Sequence, residues 1–465
     1  MSDTLMISVS GMRGHVGTDL TPELVARHAA ALGAWVRTAA AAQVAGSGRG
    51  PRPVVVLGRD ARTSGAMFTH AAAAGLMSVG VDVIDVGVVP TPTVQMAVEH
   101  HRAGAGLILT ASHNPIEWNA LKFVGPDGIF LDAESGARVR ALAEAGPPRM
   151  GWDGLGTVRE DRDAVARHLD AVLALPMIDA EAIRARGFHV ALDCVRGAGA
   201  SAIPPLLERL GCRVSAINLE PDGRFPRAPE PIPENLGELG ALVRRTGADI
   251  GLAVDPDVDR LALVDERGHP IGEDYTLAFA VRSVLDRRTT APRNATVVVN
   301  LSTSLVVEDA ARDVGARLVR APVGEANVAR TIRDEGAVIG GEGNGGVMLP
   351  ALHIGRDAPL GVALILHLLA TSGVTVSELV AASPGYSIVK AKGPRGSELA
   401  PLYAKLRSRF SDAEADDRDG LRLSWRDRWL HVRPSGTEPI VRLIAEAPTS
   451  SDAEALISAA RELLQ

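Results

Sequence analysis

Short β-branched runs alternate with Ala- and Leu-rich amphipathic stretches along most of this chain, and that alternation constrains the fold more than any other feature. Val54–Leu57 reads as a strand, Ser64–Val79 as a helix, Val81–Val86 as a strand, and Gly106–Thr110 as a strand ending in a polar loop. A second set opens at His189–Asp193, passes a Gly-Ala-Gly turn, forms a helix over Ala202–Leu210 and returns as a strand over Arg213–Asn218. A third has Thr296–Asn300, a helix near Thr303–Val314, and strands at Arg317–Val319 and Val338–Gly340. Strand–helix–strand units at this spacing predict an α/β fold with mixed, mostly parallel sheets. Three similar sets in succession suggest duplication. From about Gly385 the pattern changes to strand, helix (Gly396–Phe410), strand, strand and helix (Ser451–Leu464), which predicts a smaller α+β domain.

The 465 residues suit roughly three domains, give or take one. Linkers are expected at Ala145–Gly156, near Asp259–Asp265 and at Ala381–Tyr386, where Gly and Pro gather or the pattern shifts. Pro221–Asn235 holds five prolines and reads as an ordered surface excursion. Ala39–Pro53 reads as a mobile loop of small residues. No apolar run reaches the ~18 residues a membrane span needs. The N-terminus lacks the basic and apolar blocks of a signal peptide. Cys194 and Cys212 cannot make a disulfide framework and are expected as buried thiols. These features predict a soluble cytoplasmic chain. The net charge is −7 and aromatics are 3%, without the basic stripe or stacking aromatics of a nucleic-acid binder. Any pocket for an anionic substrate must therefore be assembled locally from a few cations and backbone N–H groups.

Four runs carry chemistry. In Thr110-Ala-Ser-His-Asn-Pro115, Ser112 offers a hydroxyl at the C-terminal end of a buried-looking strand, where α/β sheets place ligands. His113 and Asn114 can orient it; an ordinary polar turn is the plain alternative. In Asp255-Pro-Asp-Val-Asp-Arg260, carboxylates at i, i+2 and i+4 follow the strand Ile250–Val254. Like charge at this density calls for a cation, and hard oxygen ligands favour Mg²⁺ or Ca²⁺. An EF-hand is rejected because Arg260 stands where that loop needs glycine and a strand follows. The alternative is a solvated acidic turn. In Gly340-Gly-Glu-Gly-Asn-Gly-Gly346, glycines let backbone approach a ligand closely, and Glu342 and Asn344 suit neighbouring sugar hydroxyls. The spacing is not that of a dinucleotide-binding loop. In Arg433-Pro-Ser-Gly-Thr-Glu-Pro439, Arg433, Ser435, Gly436 and Thr437 make a compact anion cradle, with Arg442 close behind. Smaller pieces are Arg13 in the Gly-flanked run Ser10–Gly14, the run Gly58–Gly65 with an anion-binding or capping geometry, and Lys122 as a proton shuttle.

In this order, over Ser10–Arg442, these runs resemble the α-D-phosphohexomutase superfamily. The resemblance implies four domains around a central cleft, the first three sharing an α/β core. Combined with the three sets and the C-terminal segment, it divides the chain into 1–155, 156–259, 260–380 and 381–465. It implies a phosphoserine at Ser112 and one Mg²⁺ per chain, held by Asp255, Asp257, Asp259 and the serine phosphate. It makes Gly340–Gly346 the sugar-binding loop and Arg433–Pro439 the holder of the non-reacting phosphate. Arg13 and Lys122 match positions linked to proton transfer and phosphate contact, with His113 beside them. Two departures stand out. Many members have Asp-Gly-Asp-Gly-Asp in the metal loop, and in the sugar loop Asn344 replaces a serine. The Glu-Gly-Asn-Gly-Gly loop, with Asp-Pro-Asp-Val-Asp-Arg and Val323-Gly-Glu-Ala-Asn327, resembles the branch called phosphoglucosamine mutase.

The expected reaction moves a phosphoryl group between C6 and C1 of a hexose or hexosamine phosphate through a bisphosphate, with a sugar 1,6-bisphosphate as activator. Glucosamine phosphate is the expected substrate, and phosphomannomutase/phosphoglucomutase activity the alternative. A metal-dependent sugar phosphatase and a non-catalytic sensor are the remaining rivals. Lys122 is expected to exchange the hydroxyl proton, with a pKa lowered by nearby cations. The C-terminal domain is expected to swing to exclude water. No membrane or nucleic-acid partner is expected, and the chain is expected to be a monomer or homodimer.

Overall fold

The computed structural model describes residues 5–8, 11–43, 52–285, 294–394, 398–435 and 440–464. Their strands form four sheets. In the first, the central strands Val54–Arg59, Asp82–Val88 and Ala105–Leu109 run parallel. Trp118–Val124, Gly11–His15 and Met6–Ser8 extend it antiparallel at one edge. The second sheet pairs Ile250–Val254 and Arg213–Ile217 in parallel with His189–Asp193, and adds Leu261–Val264 antiparallel. The third repeats that plan with Thr296–Asn300 between Arg317–Ala321 and Ile339–Glu342, plus an antiparallel Gly346–Met348. The first three units are therefore α/β with mixed sheets. Their inner strands, such as Ala105–Leu109 and Ile250–Val254, are buried at every residue, as covered parallel strands must be.

Helices cover the sheets through their apolar faces. Pro22–Gln43 and Gly65–Ser78 cross closely because Gly75 has no side chain; a Cβ there would stand 2.3 Å from the Ala26 carbonyl oxygen. The helix Ala358–Ser372 starts where Asp357 accepts the Leu360 N–H at 2.8 Å, an N-cap followed by Pro359. The second and third sheets share one continuous apolar core running from Leu169 to Leu379.

The fourth sheet is antiparallel throughout and has its own core. It holds five strands rather than the three expected. Glu414–Asp416 and the hairpin of Trp429–Pro434 with Ile440–Ala447 account for the difference; the former is short and polar. Two expected borders fall inside sheets. Asp259 precedes Leu261–Val264, which stays paired with Ile250–Val254. Gly156 precedes Val158–Glu160, which pairs with Asp82–Val88 of the first sheet. Cys194 is buried and Cys212 half-buried. No described helix is long and apolar enough to cross a membrane. Most of the Ala39–Pro53 loop lies outside the described residues, as do Ser10, Gly436 and Thr437.

Candidate active site

Ser112 sits just beyond the buried strand Ala105–Leu109 with φ at +49°. Side chains other than glycine's rarely adopt that conformation. A cluster of polar groups holds it. Thr110 Oγ1 accepts the Ser112 N–H at 2.9 Å and donates to Asp60 Oδ2 at 2.6 Å. The Arg62 guanidinium, buried beneath the loop, donates to the carbonyls of Ser112 (2.7 Å), Asn114 (2.6 Å), Pro115 (2.6 Å) and Trp118 (2.8 Å). Its Nε donates to Asp60 at 3.0 Å. Within the run Gly58–Gly65, read as an anion-binding or capping geometry, Arg62 thus clamps the serine loop and spends its donors on four carbonyls and Asp60.

The Ser112 hydroxyl donates to Asp255 Oδ2 at 2.9 Å and lies 3.3 Å from His113 Nδ1. Burial and the cations Arg260 and Arg13 hold His113 well below the usual histidine range, so it is neutral. Arg13 donates to Asn114 Oδ1 at 2.6 Å, and burial lowers its guanidinium to about 10.

Asp255, Asp257 and Asp259 are buried, and their carboxylates converge so that one oxygen from each lies within 4.8 Å of the others. Burial and the two neighbouring aspartates push Asp255 far above the usual carboxylate range. Asp257 is held far below it: burial opposes ionisation, but the ion pair with Lys122 prevails. Lys122 Nζ lies 2.8 Å from Asp257 and 3.9 Å from Asp259. Burial works to lower the Lys122 ammonium, but Asp257, Asp259 and Glu325 outweigh it and raise it. The lowered value expected of Lys122 is thus corrected, because the carboxylates outnumber the cations around it. Asp257 Oδ1 and Asp259 Oδ1 are buried without a hydrogen-bond partner. Two orphaned hard oxygens between clustered carboxylates fit a divalent cation. Val258, between two of these acids, has φ at +62°, at a position where glycine would be unstrained.

Arg356 joins this loop to the glycine loop. Its Nη2 lies 2.5 Å from Asp259 and 3.1 Å from Glu325, and its Nη1 lies 2.8 Å from Glu342. Glu342 also accepts from Asn300 Nδ2 at 2.9 Å and Gly324 N at 3.1 Å. Burial opposes its ionisation, yet Arg356 and these bonds hold its carboxyl below the usual range. Asn344 accepts the Gly346 N–H at 3.3 Å and lines the cleft.

Arg433 lies near the end of the strand Trp429–Pro434 of the fourth sheet, and Ser435 follows it. Asp419 Oδ2 receives Arg433 Nε at 3.0 Å and the Val323 N–H, also at 3.0 Å. The fourth sheet is thereby tied to the loop that precedes Glu325. A cleft of about 810 Å³ opens between these units; Arg13, His113, Asn344, Arg433 and Arg442 line its wall. The structure brings Ser112, Lys122 and the three aspartates into direct contact, next to His113 and Asn114, which line the cleft. Arg62, Arg356, Glu325, Asn300 and Asp419 escaped sequence reasoning. Arg62 lies in a run that was singled out, and Glu325 within Val323–Asn327. Arg356, in Gly355-Arg-Asp357, carries no comparable signal.

Four models of one family match in order. Phosphoglucomutase/phosphomannomutase α/β/α domains I, II and III cover residues 5–149, 166–268 and 272–386. The C-terminal domain of that family covers 387–463. A probable phosphoglucosamine mutase of Methanopyrus kandleri is 38% identical over 96% of this chain and 95% of its own. A phosphoglucomutase/phosphomannomutase of Thermococcus kodakarensis is 37% identical over 98% and 97%. The solved structure of a phosphoglucomutase/phosphomannomutase family protein from Burkholderia thailandensis superposes with a TM-score of 0.84 at 26% identity, over 99% of this chain and 98% of that one. The ordered loops around one cleft and these matches agree: the chain belongs to the phosphoglucomutase/phosphomannomutase family of the α-D-phosphohexomutase superfamily, on the side of its phosphoglucosamine mutase relatives, and is an intramolecular phosphotransferase.

Proposed function

We propose that the chain interconverts glucosamine 6-phosphate and glucosamine 1-phosphate, with Ser112 as the phosphoryl relay and Mg²⁺ at Asp255, Asp257 and Asp259. The observation that carries the reading is the Ser112 hydroxyl bonded to Asp255 beside two unpartnered carboxylate oxygens. Mg²⁺ bound there would neutralise charge on the transferring phosphoryl group. The chain's own groups do the rest. Arg62 fixes the serine loop. Lys122, 2.8 Å from Asp257, exchanges the hydroxyl proton once the charge of the carboxylates that otherwise raise its ammonium is taken up by Mg²⁺. His113, with Nδ1 3.3 Å from the Ser112 oxygen, orients the serine hydroxyl. Arg433, Ser435, Gly436, Thr437 and Arg442 hold the distal phosphate, whichever end of the sugar it occupies. Glu342, braced by Arg356, and Asn344 orient the ring, and a sugar 1,6-bisphosphate recharges Ser112.

The name carried by the Thermococcus relative favours a second reading of the sugar, as a glucose or mannose phosphate. A side-by-side rate comparison on glucosamine 6-phosphate, glucose 1-phosphate and mannose 1-phosphate, with the bisphosphate present, decides between them. Equal rates would refute a dedicated glucosamine enzyme. Ser112→Ala should abolish turnover with the fold intact, and chelation of divalent cations should arrest it until Mg²⁺ is restored. Full activity in Ser112→Ala would sink the relay.

A further inference from the structure

The cleft wall is strongly cationic: Arg13, Arg260, Lys390, Arg433 and Arg442 all face it. Among the described residues, two acids join them there, Glu230 and Asp274. Glu230 is occupied; its Oε1 lies 3.2 Å from Arg260 and 3.9 Å from His113. Asp274 is not occupied in this way. It opens the helix Asp274–Val284, and its Oδ1 accepts the Ser304 N–H at 2.9 Å. No Lys or Arg among the described residues pairs with it, and Lys390 turns to Glu273 at 4.0 Å instead. Asp274 stands directly under the glycine loop; a Cβ at Gly343 would come within 2.2 Å of its Oδ1.

A plain sugar phosphate brings no positive charge for this acid to pair with. The acid suits a substrate that brings its own positive charge next to the sugar loop. We propose that Asp274 is a specificity-determining residue that pairs with the ammonium group of a 2-amino sugar phosphate in this cleft. The proposal rests on the reading of Gly340–Gly346 as the sugar loop and of a hexosamine phosphate as substrate. Burial, reinforced by Glu446 and Glu273, pushes the Asp274 carboxyl up to about 8. Near neutral pH it therefore keeps its proton while no cation pairs with it, Lys390 lying nearer Glu273. An arriving ammonium favours the carboxylate, and the proton leaves to solvent. The single-residue motifs gave no sign of this group, which lies outside all four of them.

The test compares kcat/KM on glucosamine 6-phosphate and on glucose 1-phosphate, each with glucose 1,6-bisphosphate, for the full chain and for Asp274→Asn. The ratio of glucosamine to glucose efficiency should fall about tenfold or more, as expected when a site loses the group that recognises a polar substituent. A ratio that stays the same, with both efficiencies intact or both reduced in parallel, overturns the proposal. If the Asn variant does not fold, Asp274→Ser is read by the same ratio. A full chain with no activity on glucosamine 6-phosphate overturns the proposed function and this assignment with it. Activity there with an unchanged ratio overturns the Asp274 assignment alone.

Discussion

Ser112 is held at a positive φ, which costs a residue with a side chain about 1–2 kcal/mol. The clamp from Arg62 over-determines that geometry, since one guanidinium reaches four carbonyls at 2.6–2.8 Å. A lysine ammonium is a compact point charge and cannot span the same set. Arg62→Ala should therefore lower kcat roughly 100-fold through misplacement of Ser112. Added guanidinium should recover part of kcat in steady-state assays, a rescue that a general loss of stability would not show. Asp274 sets a pH dependence of a different kind. Its folded value, about 8, lies above the ordinary aspartate value of about 4. The folded chain holds this proton more tightly than the unfolded one, so the associated stability is complete below pH ~4 and is lost as pH rises through ~8. Facing it are Glu273, Glu446 and Lys390. Melting temperatures from pH 5 to pH 9 should fall more steeply for the native chain than for Asp274→Asn. At this scale legibility followed sequence distance. The three aspartates were readable because their spacing crowds like charge into five residues. Arg62 and Arg356 were not, because an isolated arginine reads as a surface charge. What buries Arg62 are carbonyls about 50 residues away, and Arg356 is bound to Asp259 from 97 residues away.

The loops around the cleft keep their shape because of what glycines allow and what the strands beneath them demand. Gly345 has φ at +87°, and a Cβ there would stand 2.3 Å from the Leu261 carbonyl oxygen. Its own carbonyl accepts the Leu261 N–H at 3.0 Å. The Gly340–Gly346 loop is thus pinned to the last strand of the second sheet at backbone distance. Gly336 also has a positive φ, +58°, but a Cβ there would meet nothing within 4 Å. Gly336→Ala should lose only the backbone term, about 1 kcal/mol. Gly345→Ala adds a clash with rigid backbone and should lose more, at least ~2 kcal/mol, together with activity. Urea midpoints of the two variants measure the difference. The inner strands were legible because burial on both faces writes a continuous apolar run. Val158–Glu160 is exposed at every residue and Glu414–Asp416 is largely polar, so hydrophobic pattern could not announce them. Their pairing is a property of the neighbouring strand.

On the scale of the whole molecule, the first three sheets and the fourth are joined in different ways. The second and third share a single apolar core, so they should move as one body. The fourth sheet has a separate core and meets the third unit through polar contacts. Glu446, on the strand Ile440–Ala447, is the main one. Its carboxylate accepts from the Leu305 N–H at 2.8 Å, from Trp429 Nε1 at 2.6 Å and from the Ser304 hydroxyl. Ser304 caps the helix Leu305–Asp313, so the Glu446 carboxyl sits at a helix N-terminus, whose dipole and N–H donors favour its charged form against the burial that raises it. Asp419 adds the second tie, to Val323. A join made of a few charge-assisted bonds, with no shared core, is suited to pivoting. In the proposed function the fourth sheet carries the distal phosphate cradle, so the pivot would set how firmly the substrate's far end is held. Glu446→Gln keeps the shape of the side chain and removes the charge. It should weaken the join by about 1–2 kcal/mol. The chain should stay folded, because neither core is touched. KM for the sugar phosphate should rise more than kcat falls, and small-angle scattering of the substrate-saturated variant should show a larger radius of gyration than that of the native chain. An unchanged KM with an unchanged radius would mean that the other polar ties, Asp419 to Val323 and His431 to Ser302, hold the fourth sheet in place without Glu446.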